Sequence, residues 1–411
     1  MRFLYTLALR LALPLILLRL WWRGRREPGY RAHVEERFGV YTLGPVDKAV
    51  WVHAVSVGEA RAAAPLVAAL KGLLPDHPVV MTCTTAAGRE TLKQVYGESV
   101  IAVFLPYDYP ESVQGFLERF RPRLGVLMET ELWPNLLAQC EAHGVPVVLA
   151  NARMSEKSAR GYRRWRALTG PGIRSLAAVC AQSEDDAARL RALGAPRVEV
   201  TGNLKFDVTL DAEQLAAGRD WRTRVGRKVL LLASTREGEE KLLLNEIPAS
   251  APFLTVVVPR HPQRFDEVAD LSDSRRSRRP LPGAGERIHL GDSMGEMAFY
   301  YAACDAAVIG GSFQPLGGQN LIEALAAGAP VVVGPSMYNF AEATRLALDA
   351  GAAMQAADAP AAIRQAMQLL SDSGKCQQMM RAGQALCAAH RGATRRHLEM
   401  VRTVLAAPGR G

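Results

Sequence analysis

From residue 50 onward the chain alternates short runs that are apolar at nearly every position with longer amphipathic stretches. VWVHAV, PVVMTC, VIAVFL, LGVLME, VPVVLAN, AAVCAQ and VEVTG read as strands, with RAAAPLVAALKGLL and PESVQGFLERF among the helices between them. Strands apolar on both faces are the mark of a parallel sheet covered by helices on either side. The pattern lapses across DVTLDAEQLAAGRDWRTRVGRK (207–228) and resumes with VLLLAS, FLTVVVP, RIHLG, AAVIGG and PVVVGP. The polar, proline- and glycine-bearing stretch 270–287 reads as a loop. The expected fold class is therefore α/β, with two doubly wound, Rossmann-like halves joined near residue 215 and facing a cleft. In such sheets ligands bind beyond the carboxyl ends of strands, so function belongs to strand-end residues.

The start of the chain follows a different rule. FLYTLALRLALPLILLRLWW (3–22) is about as long as a bilayer-spanning helix, yet Arg10, Pro14 and Arg19 interrupt it. No small-residue cleavage site follows, which argues against a removable signal peptide. Arg2, Arg10, Arg19, Arg23, Arg25 and Arg26 all precede the first acid, Glu27. Trp21 and Trp22 suit the headgroup region, the arginines can snorkel, and RGRR attracts anionic lipids. The expected organisation is a membrane-associating helix (1–26), a first half (27–215) and a second half (216–411). Whether the helix spans the membrane or lies in its interface is open at this level.

Composition narrows the classes. A chain of 411 residues fits two domains, and 49% hydrophobic with 22% charged residues excludes wholesale disorder and a polytopic membrane protein. The net charge of +9 owes much to the N-terminal arginines. Six scattered cysteines without a CxxC pair read as free thiols in a reducing compartment and make a zinc site or disulfide frame improbable.

The candidate chemistry lies at strand ends. SVGEA follows the first strand where a dinucleotide fold would carry GxGxxG, and no GxxxxGK[ST] occurs, so dehydrogenase and P-loop readings drop. IGGSFQPLGGQNLIEALAAG (309–328) is instead a strand, a flexible loop and a helix beginning near Asn320, whose amides suit an anion, with Glu323 placed for ribose hydroxyls. VVVPRHPQRF puts Pro259 and Arg260 at another strand end. GDSMGEM offers Asp292 or Ser293 as N-cap, with Met294, Gly295 and Glu296 opening a helix. Three such turns on one sheet edge describe a nucleotide pocket. The first half supplies carboxylates: Glu59 where strand becomes helix, and Glu129 and Glu131, whose spacing points both to one side if the chain stays extended. Lys205 stands near the domain junction. Carboxylates and a lysine facing a nucleotide pocket suggest group transfer from a nucleotide-activated donor.

HAVSVGE, FLPYD, METELWPN, ANARMSEKSARGY, TGNLKFD, VPRHPQRF, DSMGEM and GGSFQPLGGQN occur in this order. In order and spacing they resemble the 3-deoxy-D-manno-octulosonic acid (Kdo) transferases of lipopolysaccharide synthesis, over about residues 20 to 345. The resemblance implies the GT-B glycosyltransferase fold, with a terminal helix that crosses back to the first domain. It implies inverting transfer of Kdo from CMP-Kdo to lipid IVA, the lipid A precursor, at the cytoplasmic face of the inner membrane. By matching, Glu59 is the general base and Glu129 and Lys205 stabilise the transition state. Pro259, Arg260, Met294, Gly295, Glu296, Asn320, Leu321, Ile322 and Glu323 contact CMP. No cofactor, metal or nucleic acid is implied, since CMP-Kdo is itself the donor substrate. Arg236 and Gln319 stand where histidine is frequent in the family. A GT-B transferase or epimerase using a UDP-sugar, and a non-catalytic nucleotide-sensing scaffold, are the competing readings, and the number of Kdo residues transferred stays open.

Overall fold

The computed structural model describes residues 1–25 and 27–407; Arg26 of the basic cluster and the last four residues of the second half lie outside them. The described chain divides into two compact units, residues 1–207 with the C-terminal segment from 392 to 407, and residues 208–391.

In unit 1 a seven-stranded sheet is built from β1 (Val50–His53), β2 (Val79–Cys83), β3 (Ile101–Phe104), β4 (Leu124–Met128), β5 (Val147–Ala152), β6 (Ala178–Ala181) and β7 (Val198–Val200). All pairings are parallel, in the order β3-β2-β1-β4-β5-β6-β7. Successive residues of one strand feed opposite layers, as the period of two requires. Val50 and Val52 join a core with Leu66, Leu70 and Leu92, whereas Trp51 joins the other with Phe116, Phe120 and Leu136. The expected strand runs of this half all form.

Unit 2 repeats the design with β8 (Val229–Thr235), β9 (Leu254–Pro259), β10 (Ser274–Arg275), β11 (Ile288–Leu290), β12 (Ala306–Ile309), β13 (Val331–Val333) and β14 (Ala353–Gln355). Its parallel order is β10-β11-β9-β8-β12-β13-β14. Strand order reverses at β1/β4 in one sheet and at β8/β12 in the other, and these switch points are where α/β sheets open a crevice. Two strands were not expected. β10 lies in the stretch assigned to a loop, and β14 is too short and mixed to show as an apolar run.

The two units meet between residues 207 and 208, a few residues before the joint read near 215. Residues 208–225 belong wholly to unit 2. The helix Ala212–Val225 occupies the stretch where the pattern lapses, and its Trp221 meets Phe299 edge-on at 5.9 Å. Gly218 lets the two helices touch, since a Cβ there would sit 2.3 Å from the Phe299 carbonyl.

The C-terminal helix Ala393–Ala406 returns to unit 1, where Ala393, Met400, Val401 and Val404 complete the core that contains Leu66 and Leu70. Its start is fixed by Asp207, which accepts from Gly392 N at 2.9 Å and Thr394 N at 2.8 Å. Partial burial alone would raise the Asp207 carboxyl; the Thr394 bonds, with Gly392 and Arg396, hold it below the usual range.

The N-terminal helix Arg2–Arg23 runs unbroken through Pro14 and has no fully buried residue. One stripe, at positions 5, 9, 12, 16, 20 and 23, is partly covered. Thr6 accepts from Asn135 Nδ2 at 2.9 Å, Tyr109 donates to the Leu9 carbonyl at 2.9 Å, and Arg10 reaches Glu111 at 3.0 Å. Phe3, Leu4, Leu7, Leu11, Leu15 and Leu18 point away and are exposed. This Asn135 comes from METELWPN and is itself held by FLPYD: Asp108 accepts from Asn135 N at 3.0 Å and Leu136 N at 2.7 Å, capping the helix Pro134–Ala142.

If the returning helix is part of the unit 1 core, Met400→Ala should destabilise that unit by about 2–5 kcal/mol, the usual cost of emptying a buried methionine site. Urea unfolding followed by the tryptophans of unit 1 checks it; an unchanged midpoint would mean that the helix packs only peripherally.

Candidate active site

β1 ends at His53, and the chain turns through Ala54 and Val55 into the helix Val57–Ala62. Ser56 caps this helix, its Oγ accepting from Glu59 N at 3.3 Å, while the Glu59 carboxylate accepts from Ser56 Oγ at 2.8 Å and Val55 N at 3.0 Å. The Ser-x-x-Glu spacing is that of a capping box, so Glu59 is anchored by the helix start it helps to form. It is 8% exposed.

β4 neighbours β1 across the strand-order reversal and ends at Met128. Glu129 then takes a left-handed conformation (φ 58°), so the chain does not stay extended and the expected common face for Glu129 and Glu131 is not formed. Glu131 instead accepts from Trp133 Nε1 at 2.8 Å, and Glu129 lies 3.5 Å from Lys205 Nζ. The three catalytic candidates, Glu59, Glu129 and Lys205, do gather beyond the same sheet edge. Burial first, and then the negative charge of Glu129, push the Glu59 carboxyl up to about 7, against the hydrogen bonds from Val55 and Ser56 and with a further contribution from Glu131. A carboxylate with a pKa near neutrality is matched to proton abstraction at physiological pH.

Unit 2 holds a pocket of about 380 Å³ at the carboxyl ends of β8, β9 and β11. Of the residues singled out in the sequence, Pro259, Arg260, Met294, Gly295 and Glu323 line it. Asn320, Leu321, Ile322 and Glu296 do not. The helix begins at Ile322, two residues after Asn320, and Asn320 Oδ1 already takes the Ile322 amide at 3.0 Å. Leu321 and Ile322 are core residues. Asn320 acts instead through Glu323, donating to its carboxylate at 2.8 Å. Burial raises the Glu323 pKa, with the Asn320 bond and the charge of Arg260 opposing. Glu296 precedes the helix Met297–Ala303 and is engaged by Ser293 Oγ and by Arg276 at 3.3 Å. Neither Asp292 nor Ser293 caps that helix: Asp292 is committed to Ser277 N at 2.8 Å and Arg275 at 2.7 Å.

Several other lining groups carry no signal in the local pattern. Thr209, Asp211 and Gln214 come from the stretch taken as a domain joint, although Asp211 is a regular N-cap, accepting from Glu213 N and Gln214 N. Ser234 lines the pocket at a bulge in β8, where its φ of 55° shifts the register against β9. Glu239, fully buried, ties the loops after β8 and β12 together by accepting from Arg236 N at 2.9 Å, Gly311 N at 2.6 Å and Phe313 N at 3.0 Å. The β12 loop needs its glycines, since a Cβ at Gly310 would lie 2.5 Å from Thr235 Cα. Of the two departures, Arg236 is close enough to His261 that, after burial, its charge and those of Arg260 and Arg264 depress the imidazole pKa. Gln319 packs against Gly311, 2.9 Å from where a side chain would begin. Among the described residues no group of three or more His, Cys, Asp or Glu side chains is arranged to hold a metal ion.

Residues 32–208 match the family model described as 3-deoxy-D-manno-octulosonic-acid transferase (kdotransferase). The 3-deoxy-D-manno-octulosonic acid transferase of Bordetella pertussis is 46% identical, covering 96% of this chain and 97% of its own length. That of Haemophilus influenzae is 35% identical, over 98% of this chain and 99% of its own. Among solved structures, the UDP-GlcNAc 2-epimerase from Neisseria meningitidis bound to UDP-GlcNAc aligns with a TM-score of 0.51 over 87% of this chain and all of its own, at 17% identity, a likeness of fold alone. Full-length identity at this level, on two parallel sheets of the GT-B type, means that the chain belongs to the 3-deoxy-D-manno-octulosonic acid transferases, a family of glycosyltransferases.

Proposed function

We propose that the protein transfers Kdo from CMP-Kdo to lipid IVA with inversion, working at the cytoplasmic face of the inner membrane. The observation that carries this reading is the Glu59 carboxyl, buried at the switch point of unit 1 and tuned to about 7 beside Glu129. In the proposed step, Glu59 takes the proton of an acceptor hydroxyl as the oxygen attacks the anomeric carbon of Kdo. The new C–O bond forms as the bond to the CMP phosphate breaks, and the phosphate departs with the electron pair. A single displacement from the opposite face inverts the configuration. Glu129 favours the oxocarbenium-like sugar, and Lys205 balances negative charge on the departing phosphate or on the sugar's own carboxylate.

CMP is assigned to the unit 2 pocket, whose volume suits a nucleotide. Arg260 is the phosphate ligand, with Arg236 the nearby second guanidinium, and Glu323 the acceptor for ribose hydroxyls. For the N-terminal helix, the covered stripe against unit 1 and the exposed apolar stripe on the other side favour a helix lying in the interface over one that spans. Its end is weighted for the headgroups: the guanidinium carbons of Arg25 and Arg31 lie 4.3 Å and 5.1 Å from the Trp21 ring.

The direct test is incubation of the purified protein with CMP-Kdo and lipid IVA, reading product masses, which also counts the sugars added. Glu59→Gln should keep CMP binding and lose about 100-fold or more in turnover. The wild-type rate should fall as pH drops through about 7, where Glu59 gains its proton, and this limb should be absent from any residual activity of the variant. A near wild-type rate in Glu59→Gln would end the base assignment.

Arg260→Ala should weaken CMP binding by about 2 kcal/mol or more, the range for charge-assisted bonds in a sheltered site. Unchanged affinity by calorimetry would move the phosphate to Arg236.

Removing residues 1–23 should leave a folded protein, because none of that helix is fully buried. Binding to anionic vesicles should drop sharply. A truncated protein that unfolds in the absence of lipid would make the helix part of the unit 1 core and not a membrane element.

A further inference from the structure

Lys205 stands on a loop that leaves the sheet after Val200, passes Gly202 (φ 82°) and makes a single turn at Leu204–Phe206. Such a loop does not by itself hold an ammonium group 3.5 Å from Glu129. Asn151 of β5, Gln182 just after β6 and Asn203 of the loop itself do part of the work. Asn151 Oδ1 accepts from Leu204 N at 3.0 Å, and Asn203 Oδ1 accepts from Lys205 N at 2.9 Å. Asn203 Nδ2 donates to Gln182 Oε1 at 2.9 Å, and Gln182 Nε2 donates to the Asn151 carbonyl at 2.9 Å. These bonds close a ring around the segment that carries Lys205.

The ring depends on an unusual backbone. Asn151 is left-handed (φ 51°), and the register between β5 and β6 shifts between Leu149 and Ala152. Turned out of the ladder and fully buried, its N–H needs an acceptor, and a missing one is costly. The acceptor is His397 Nε2 at 2.9 Å, on the returning C-terminal helix. His397 Nδ1 lies 2.7 Å from the Ala393 carbonyl, so Nδ1 carries the proton and Nε2 is free to accept. Burial, aided by Arg396 and opposed by the Ala393 bond and Asp207, holds the imidazole at about 4, so it stays neutral at working pH. The same helix also grips the loop directly, with Arg396 Nε donating to the Thr201 carbonyl at 2.9 Å.

We infer that His397 is a positioning residue for Lys205: through the Asn151 bulge, the C-terminal helix sets how closely Lys205 approaches Glu129. This rests on the reading of Glu59 as general base, and it extends that reading to a group that touches no substrate. The electrostatic consequence runs through Glu59. The groups acting on its carboxyl are Glu129 and Glu131, which disfavour ionisation, and Val55 N–H and the Ser56 hydroxyl, which favour it. Lys205 offsets the charge of Glu129. When Lys205 drifts away, Glu129 acts at full strength and Glu59 holds its proton to higher pH.

The test is kcat and KM against pH for the full-length wild type, His397→Ala, His397→Gln, Asn203→Ala, Lys205→Ala and the His397→Ala/Lys205→Ala double variant, with thermal melts. His397→Ala should lower kcat by about tenfold to a hundredfold, as for a displaced catalytic group, with little change in KM for CMP-Kdo. Its acid limb should move up by about one pH unit, Lys205→Ala should give the same shift, and the double variant should shift no further. His397→Gln, whose Oε1 can accept from Asn151 N–H, should restore the limb. Should His397→Ala fail to fold, Asn203→Ala, which keeps the imidazole and the Asn151 bond to it while freeing the Lys205 amide and Gln182 Oε1, should still show the shift. An unmoved limb in a folded His397→Ala or Asn203→Ala protein, or shifts that add to that of Lys205→Ala, would overturn the inference. If Glu59→Gln removes rate and limb together, such a result counts against His397 alone; if Glu59→Gln keeps both, it is the base assignment that fails.

Discussion

A strand can lie parallel to its predecessor only if the chain crosses back over a face of the sheet, so each strand in a parallel sheet hands the chain to the same edge. Both sheets of this protein are parallel throughout their described pairings. The constraint decides where chemistry can occur. Glu59, Glu129 and Lys205 come from distant parts of the sequence, yet all follow strands whose carboxyl ends share one rim. In unit 2 the same constraint gathers Ser234, Arg260, Met294 and Glu323 around one pocket. Where strand order reverses, the helix starts stand apart and leave room for a ligand.

Within that frame, each unit departs once from regular strand geometry next to its site, at Asn151 in β5 and at Ser234 in β8. Both residues are left-handed without being glycine. A bulge turns residues out of the ladder before pairing resumes: Asn151 Oδ1 meets Leu204 N in one unit, and Ser234 lines the pocket in the other. Buried polar side chains stabilise these departures: Gln182, Asn203 and His397 around Asn151, and Glu239 across the loops after β8 and β12. Polar residues that look out of place in an apolar core thus have a common purpose here.

This division explains what could be read in advance. Twelve strands were legible because a strand buried on both faces writes itself as an uninterrupted apolar run, while β10 and β14 are two and three residues long and leave no such trace. The helix Ala212–Val225 was missed because its small and charged residues form no clear stripe; only Gly218 and Trp221 are buried. Glu59 was legible from its place at a strand end, but its capping bonds to Ser56 were not used. The left-handed turn at Glu129 had no signal, since a glutamate there looks like any strand residue. A helix start near Asn320 was legible after the glycines, but the Asn320 side chain, which takes the Ile322 amide, makes a local bond that spacing does not reveal. Contacts such as Asn151 with His397 depend on two points 246 residues apart and lie beyond any reading by local pattern.

The return of the C-terminal helix has a consequence for how the protein is made. Unit 2 is one continuous stretch of chain, 208–391, and can fold as soon as it has emerged from the ribosome. Unit 1, although most of it is synthesised before unit 2, lacks Met400, Val401, Val404 and His397 until the returning helix has been made. Vectorial synthesis would ordinarily complete the leading domain first; here the leading domain waits for the trailing end, with a long loop to close before its core is whole. An unfinished chain therefore carries its apolar N-terminal helix and a nascent unit 1 whose Asn151 amide still lacks its acceptor. Synthesis of the returning helix becomes the event that supplies the Lys205 loop with its contacts, so products cut short before it would lack the acceptor for Asn151 and the Arg396 bond to Thr201.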